Sequence, residues 1–246
     1  MRFAIVDAFS PNVNPRPEGV APSLVVLHYT GMIDGPTAIK RLRDPEAKVS
    51  CHYVVEEDGR IFRLADETQR AWHAGVSSWR GITDVNSHSI GIEIVNGGHD
   101  FGLPDYPPAQ ISALIDLLKD VLERRGIPVV GVIGHSDVAP ARKDDPGEKF
   151  PWAQLAEAGV ALAPVVGETA CTVVYAPGIE DQGVAGAQAA LSAIGYGVEQ
   201  SGMLDEPTQA VVRAFQRRFR PDRIDGALDL QTLALIAEME RLSRPA

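Results

Sequence analysis

The residues best able to do chemistry lie in His135-Ser-Asp-Val-Ala-Pro-Ala-Arg142-Lys143-Asp144-Asp145-Pro146-Gly147. An apolar run, Ile127 to Ile133, precedes this stretch and reads as a buried strand bounded by Gly and Pro. A histidine at a strand's end, then a Pro-broken loop bearing Lys and Asp, forms half of a candidate metal site. Imidazole and carboxylate together suit zinc or a similar divalent ion, and a loop lets the carboxylate fold back toward the ring. The other half is expected from His28, which ends a second apolar run, Ser23 to Leu27. Two adjacent strands ending at His28 and His135 would bring both rings to one edge of a sheet. His28, His135 and Asp145 then make three ligands with a fourth position left for water, whose pKa falls to about 7 on such an ion. Glu93 is costly to bury unpaired and is the candidate to take the water's proton. Lys143, two residues before Asp145, is the candidate to stabilise an oxyanion. Plainer readings stand beside these: a packed strand-end histidine, a glutamate on an exposed sheet face, a solvated loop lysine.

These residues need a scaffold. Leu24 to His28 is the first clear strand, after a Pro- and Asn-rich segment, residues 1–22, expected to be an irregular surface arm. Thr37 to Arg43 carries a short helix. Ser50–Glu56 and Arg60–Leu64 form a hairpin turning at Asp58-Gly59. Ser89 to Val95 reads as a strand and Pro108 to Arg125 as the longest helix, closed by Gly126. Trp152 to Ala158 makes a further helix. The fold class is therefore α/β (α+β), a central mixed sheet flanked by helices.

Composition shifts at Gly159 to Gly167, read as a linker between a larger domain (1–165) and a smaller one (166–246). Beyond it, Gly202-Met-Leu-Asp205-x-x-Thr208 recurs as Gly226-Ala-Leu-Asp229-x-x-Thr232, each Asp placed to cap a helix. With an earlier helix ending at Gly195, this predicts a small three-helix bundle.

A formal net charge of −10 argues against nucleic acid as a partner. No apolar run approaches the length of a membrane span. Asp7 interrupts the N-terminal apolar residues, so no signal peptide is read; the cytoplasm is the expected compartment, with the periplasm left open. Cys51 and Cys171 read as free thiols, Cys51 in the core. His52 is expected to be packed, while His73 and His99 sit in Gly-rich loops suited to substrate contact or to simple exposure. Trp72, Trp79, Tyr106 and Trp152 offer sugar-stacking platforms or core anchors.

His28, Ser89-Ile-Gly-Ile-Glu93, Ala71-Trp-His-Ala-Gly75 and Gly134-His135 with Arg142-Lys143-x-Asp145-Pro-Gly147 together resemble the zinc-dependent N-acetylmuramoyl-L-alanine amidases, from about residue 20 to 158. That family shares its fold with phage lysozyme-type amidases and peptidoglycan recognition proteins. The resemblance implies Zn2+ on His28, His135 and Asp145, Glu93 as acid/base, Lys143 assisting, and a substrate groove formed partly by the Trp72 to Trp79 loop. Trp72, His73, Trp79 and His99 are its candidate substrate contacts. The expected partners are muropeptides or polymeric peptidoglycan. The second segment resembles the three-helix peptidoglycan-binding domain through Gly195-Tyr-Gly197, Leu204-Asp-x-x-Thr208, Ala214-Phe-Gln216 and Asp225-Gly226. A non-catalytic recognition module and a zinc peptidase cutting within the stem peptide are the rival functions.

Overall fold

The computed structural model describes residues 4–167 and 170–244. In chain order the elements are β1 (Ile5–Asp7), β2 (Val13–Pro15), β3 (Leu24–Tyr29), α1 (Gly35–Leu42), β4 (Tyr53–Val55), β5 (Ile61–Arg63), β6 (Gln69–Ala71), α2 (Val85–His88), β7 (Ser89–Ile94) and α3 (Pro108–Arg125). There follow β8 (Val132–Gly134), α4 (His135–Val138), α5 (Trp152–Glu157), β9 (Val173–Tyr175), α6 (Gln182–Ile194), α7 (Glu206–Phe219), β10 (Leu228–Asp229) and α8 (Leu230–Leu242). The main sheet is six-stranded and mixed, in the order β1-β5-β4-β7-β3-β8. Only the β4–β5 hairpin within it is antiparallel.

Alternation along the central strands assigns each face its cover. Val25, Leu27, Ile90, Ile92 and Ile94 meet the apolar stripe of α3, with Ile111, Leu114, Leu118 and Val121. On the opposite face, Val54 packs with Leu42 of α1, Cys51 and Leu64. Leu24, Val26 and Ile133 instead share one cluster with Leu191, Val212, Phe215 and Ile236 of the C-terminal helices. The bundle α6–α8 therefore supplies one outer layer of the sandwich. The Gly159–Gly167 segment is also packed in place: Val160 and Ala161 are buried with the α3 side, and Leu162 and Val166 lie against the bundle side.

Two expectations change. The N-terminal arm is not irregular throughout: β1 pairs with β5, and β2 pairs with β6. Pro15 is tolerated because it ends a two-stranded edge ribbon, where a missing N–H is cheap. The strand read from Ile127 shrinks to Val132–Gly134, because Pro128 starts a 3-10 turn in which Gly131 N–H donates to the Pro128 carbonyl, 2.8 Å.

In the bundle, Asp205 and Asp229 accept the Thr208 and Thr232 amides at 3.0 and 2.8 Å, as the repeat predicts. A buried glutamine on the preceding helix completes each copy. Gln188 accepts Gly202 N–H and donates to Thr208 Oγ1, and Gln216 does the same for Gly226 and Thr232. Among the described residues no helix is long and apolar enough to cross a membrane.

Candidate active site

β7, β3 and β8 lie side by side and parallel. Register pairs His28 with Glu93 across β3/β7, and Leu27 with Gly134 across β3/β8, which sets His135 next to His28 one residue on. Glu93, His28 and His135 therefore stand in a row at the strands' C-terminal ends. Asp145 joins them because its loop folds back, Ser136 N–H donating to the Asp145 carbonyl at 2.9 Å. His28 Nδ1 and His135 Nδ1 are 2.9 Å apart, and each lies 3.0 Å from Asp145 Oδ2. All three residues are buried.

The surrounding hydrogen bonds fix what these atoms carry. Ser89 Oγ donates to the Val85 carbonyl at 2.6 Å, so it accepts from His73 Nε2–H at 3.2 Å. His73 Nδ1 then presents a lone pair and accepts from His28 Nε2–H at 3.0 Å. His135 Nε2–H donates to the Ala74 carbonyl at 3.1 Å. Both imidazoles are thereby left with bare Nδ1 lone pairs aimed at a carboxylate oxygen. Three lone-pair atoms within van der Waals contact repel one another unless a cation sits among them. The donor set is that of a zinc site, whose tetrahedral ligands at 2.0–2.1 Å stand about 3.3 Å from one another. The residues fit the ion.

Electrostatics agree with this assignment. Burial, reinforced by His135, pushes the His28 pKa down to about 4, which keeps the ring neutral as a ligand must be. Burial opposes ionisation of Asp145, but its contacts with His135 and His28 outweigh it and hold the carboxyl well below the usual range. Glu93 behaves oppositely. Burial, then the neighbouring Asp145 charge, raises its pKa well above that of an ordinary glutamate, and Lys143 offsets part of the shift. Among the described residues its Oε2 is buried with no hydrogen-bond partner. An unpartnered carboxylate oxygen beside a ligand cluster is a proton carrier in waiting.

These groups line a cavity of about 410 Å³ together with Lys143, Tyr29, Arg41 and Trp72. Trp72 is held at its wall by Nε1–H donating to Asn14 Oδ1 at 2.6 Å. His73 also borders the cavity, but its two nitrogens are engaged by His28 and Ser89 rather than turned to the open space where substrate contact was expected. Gly91 makes room for it, since a Cβ there would lie 2.5 Å from the His73 ring. As a test, His73→Ala should weaken zinc binding by about 10–100-fold in a chelator competition, the range for partners that orient a ligand. Unchanged affinity would show that His28 keeps its tautomer unaided.

Trp79 does not reach the cavity. It is 2% exposed and packs edge-on to Tyr196 of the bundle, centroids 5.0 Å apart. Its large apolar area is better buried against the second domain than presented to a sugar. Gly195, at φ 143°, allows this approach, since a Cβ would lie 2.6 Å from the indole. His99 sits between Tyr29 Oη (2.9 Å) and Glu148 (3.0 Å), exposed beside the loop that carries Asp145. Tyr106 and Trp152 are core anchors around Phe150. His52 is packed, with Nδ1 accepting Gly91 N–H.

Parallel strands deliver two imidazoles, a carboxylate and a glutamate to one cavity, a candidate metal centre in a mixed α/β fold with a candidate acid/base beside it. Residues 18–148 match the family described as N-acetylmuramoyl-L-alanine amidase, and residues 180–236 match the family described as putative peptidoglycan binding domain. The chain is 37% identical over 224 residues to the N-acetylmuramoyl-L-alanine amidase AmiD of Escherichia coli (strain K12), covering 86% of this chain and 80% of that protein. It is 32% identical over 167 residues to the 1,6-anhydro-N-acetylmuramyl-L-alanine amidase AmpD of the same organism, covering 59% of this chain and 87% of AmpD. The solved structure of E. coli AmiD with anhydro-N-acetylmuramic acid-L-Ala-D-gamma-Glu-L-Lys superposes with a TM-score of 0.74 at 33% identity, covering 93% of both chains. The chain belongs to the N-acetylmuramoyl-L-alanine amidase family.

Proposed function

We propose that the protein hydrolyses the amide joining the lactyl group of N-acetylmuramic acid, or of its 1,6-anhydro form, to L-alanine of the peptidoglycan stem peptide. The observation that carries this reading is the register match of Glu93 with His28, which sets an unpartnered carboxylate beside three converging donors. Zinc on His28, His135 and Asp145 would supply Lewis acidity at the scissile carbonyl and an acidified water. Glu93 accepts the attacking water's proton, and its raised pKa lets it hold that proton until the departing amine takes it. Lys143 faces the same cavity and donates to the carbonyl oxygen as negative charge develops there. Both roles call for groups held in place beforehand, which burial provides for Glu93.

Partners on this reading are peptidoglycan fragments or the polymer, with residues 166–246 as the linker and peptidoglycan-binding-like domain. The cytoplasm is the compartment we propose, with the periplasm as the alternative. Retention of the complete ligand trio together with Glu93 argues against a module that only binds. Incubating zinc-loaded protein with anhydromuropeptides and with intact sacculi, then weighing the products, tests the reaction. Peptides with a free L-alanine amino end are expected. Products cut within the stem would make the protein a peptidase, and the absence of any cleavage would make it a recognition module.

A further inference from the structure

We propose that the C-terminal bundle is a working part of the metal centre, holding the segments that carry and orient the zinc ligands, rather than an appendage on a tether. The inference rests on the zinc reading of His28, His135 and Asp145. Its first support is Asp137, which is 0% exposed and lies two residues after His135. One oxygen of Asp137 accepts Gly134 N–H at 2.8 Å and the Arg218 guanidinium at 2.6 Å; the other accepts Tyr196 Oη–H at 2.6 Å. Arg218 also donates to the Val132 carbonyl at 3.0 Å. Two bundle side chains thus grip the strand end and the turn that aim His135. Arg218 is itself fixed, stacked 4.0 Å over the Trp152 ring.

The second support lies at the other end of the ligand loop. Arg217 pairs with Asp144, 2.7 Å, the residue next to the ligand Asp145. The third is the loop that supplies the Ala74 carbonyl to His135. Arg80 N–H donates to the Gly195 carbonyl at 2.8 Å, and its guanidinium donates to the carbonyls of Ile194 and Ser243, capping the C-terminal ends of α6 and α8. Arg142 then ties the two loops together, donating to the Ala74 and Val76 carbonyls at 2.8 Å each. A domain serving only as an anchor would need none of these bonds. Tyr196, Arg217 and Arg218 are positioning residues: they act on the metal through Asp137 and Asp144.

The experiment measures zinc affinity of the full chain by chelator competition, with the visible spectrum of the cobalt-substituted protein as a report on ligand geometry. Arg217→Gln, on α7, removes the pair with Asp144 and the longer contact with Glu148, and Tyr196→Phe, just past the end of α6, removes one hydrogen bond. Each is expected to weaken zinc several-fold, and the pair by about 10-fold, the low end for outer partners of a ligand, with an altered cobalt spectrum. Arg217→Lys should restore affinity, and Arg241→Ala, on an exposed face of α8, should leave it unchanged. If the double variant, folded by circular dichroism, held zinc and its cobalt spectrum as the parent does, the proposal would be overturned. A parent chain that takes up no zinc would remove the ligand reading itself, and this inference with it.

Discussion

Glu93→Gln is expected to bind a full equivalent of zinc yet to turn over about 100- to 10,000-fold more slowly than the parent, the span that a positioned acid/base contributes. The substitution keeps shape and volume, removes the charge, and leaves the three ligands untouched. The loss falls near the upper end because the same oxygen is asked to work twice, first as base toward water and then as acid toward the amine. The effect appears in kcat and kcat/KM alike, since a glutamine still fills the cavity wall and binds substrate. The parallel register makes the prediction sharp: Glu93 is the Cα partner of His28, so its position follows from backbone pairing and does not depend on a mobile loop. Metal analysis and steady-state rates on one preparation decide the matter. Near-parental turnover with zinc bound would remove Glu93 from the chemistry, and loss of zinc would recast it as support for the ligands.

Much of this site was legible in the chain because its chemistry sits at the ends of strands with strong apolar signatures. His28 closes Leu24–Tyr29, and Glu93 interrupts a run of isoleucines that has no other reason to contain an acid. The mixed sheet, the long helix and the three-helix bundle follow from hydrophobic period and caps for the same reason. What stayed hidden depends on tertiary contacts. Nothing local distinguishes Trp79, buried on the bundle, from Trp72, held at the cavity wall, since both lie in one Gly- and Ser-rich loop. His73 gave no sign of which neighbour its nitrogens would meet, although Gly91, two residues before Glu93, was the one available hint that something bulky lies across that strand. Asp137, in the single turn of α4, carries no local signal of a role. Its role exists only once Tyr196 and Arg218 arrive from a segment that composition had marked as a separate domain. The short edge strands β1 and β2 escaped because three-residue pairings at a sheet margin need no hydrophobic pattern.

The metal-free protein should lose stability as pH falls from about 6.5 toward 4. Burial pushes the pKa values of His28 and His52 down to about 4 in the folded chain, and burial with its histidine neighbours carries His73 well below its ordinary value. Unfolded, all three titrate near 6.5. Across that window the unfolded chain binds protons that the folded chain refuses, so each step down in pH favours unfolding. Every unit of displacement is worth about 1.4 kcal/mol, which makes the combined loss a large fraction of a typical domain's stability. Glu93 works in the opposite direction. Its raised pKa means that the folded state keeps a proton which the unfolded state gives up above about 4.5, so its contribution falls as pH rises. Glu56, raised by burial, acts in the same sense as Glu93, and three imidazoles against these two carboxyls leave the net slope positive with pH. The thermal midpoint of chelator-stripped protein, followed across the window, should therefore fall as the buffer is acidified, and His73→Ala should shallow the slope by one proton. Adding zinc at the upper end of the range should raise the midpoint, because only the folded chain gathers the three proposed ligands, and the gain should shrink on acidification as protons compete for His28. A midpoint flat from 6.5 to 4 in the stripped protein would mean that the rings are open to water, and the tautomer assignments that aim two lone pairs at Asp145 would fall with it.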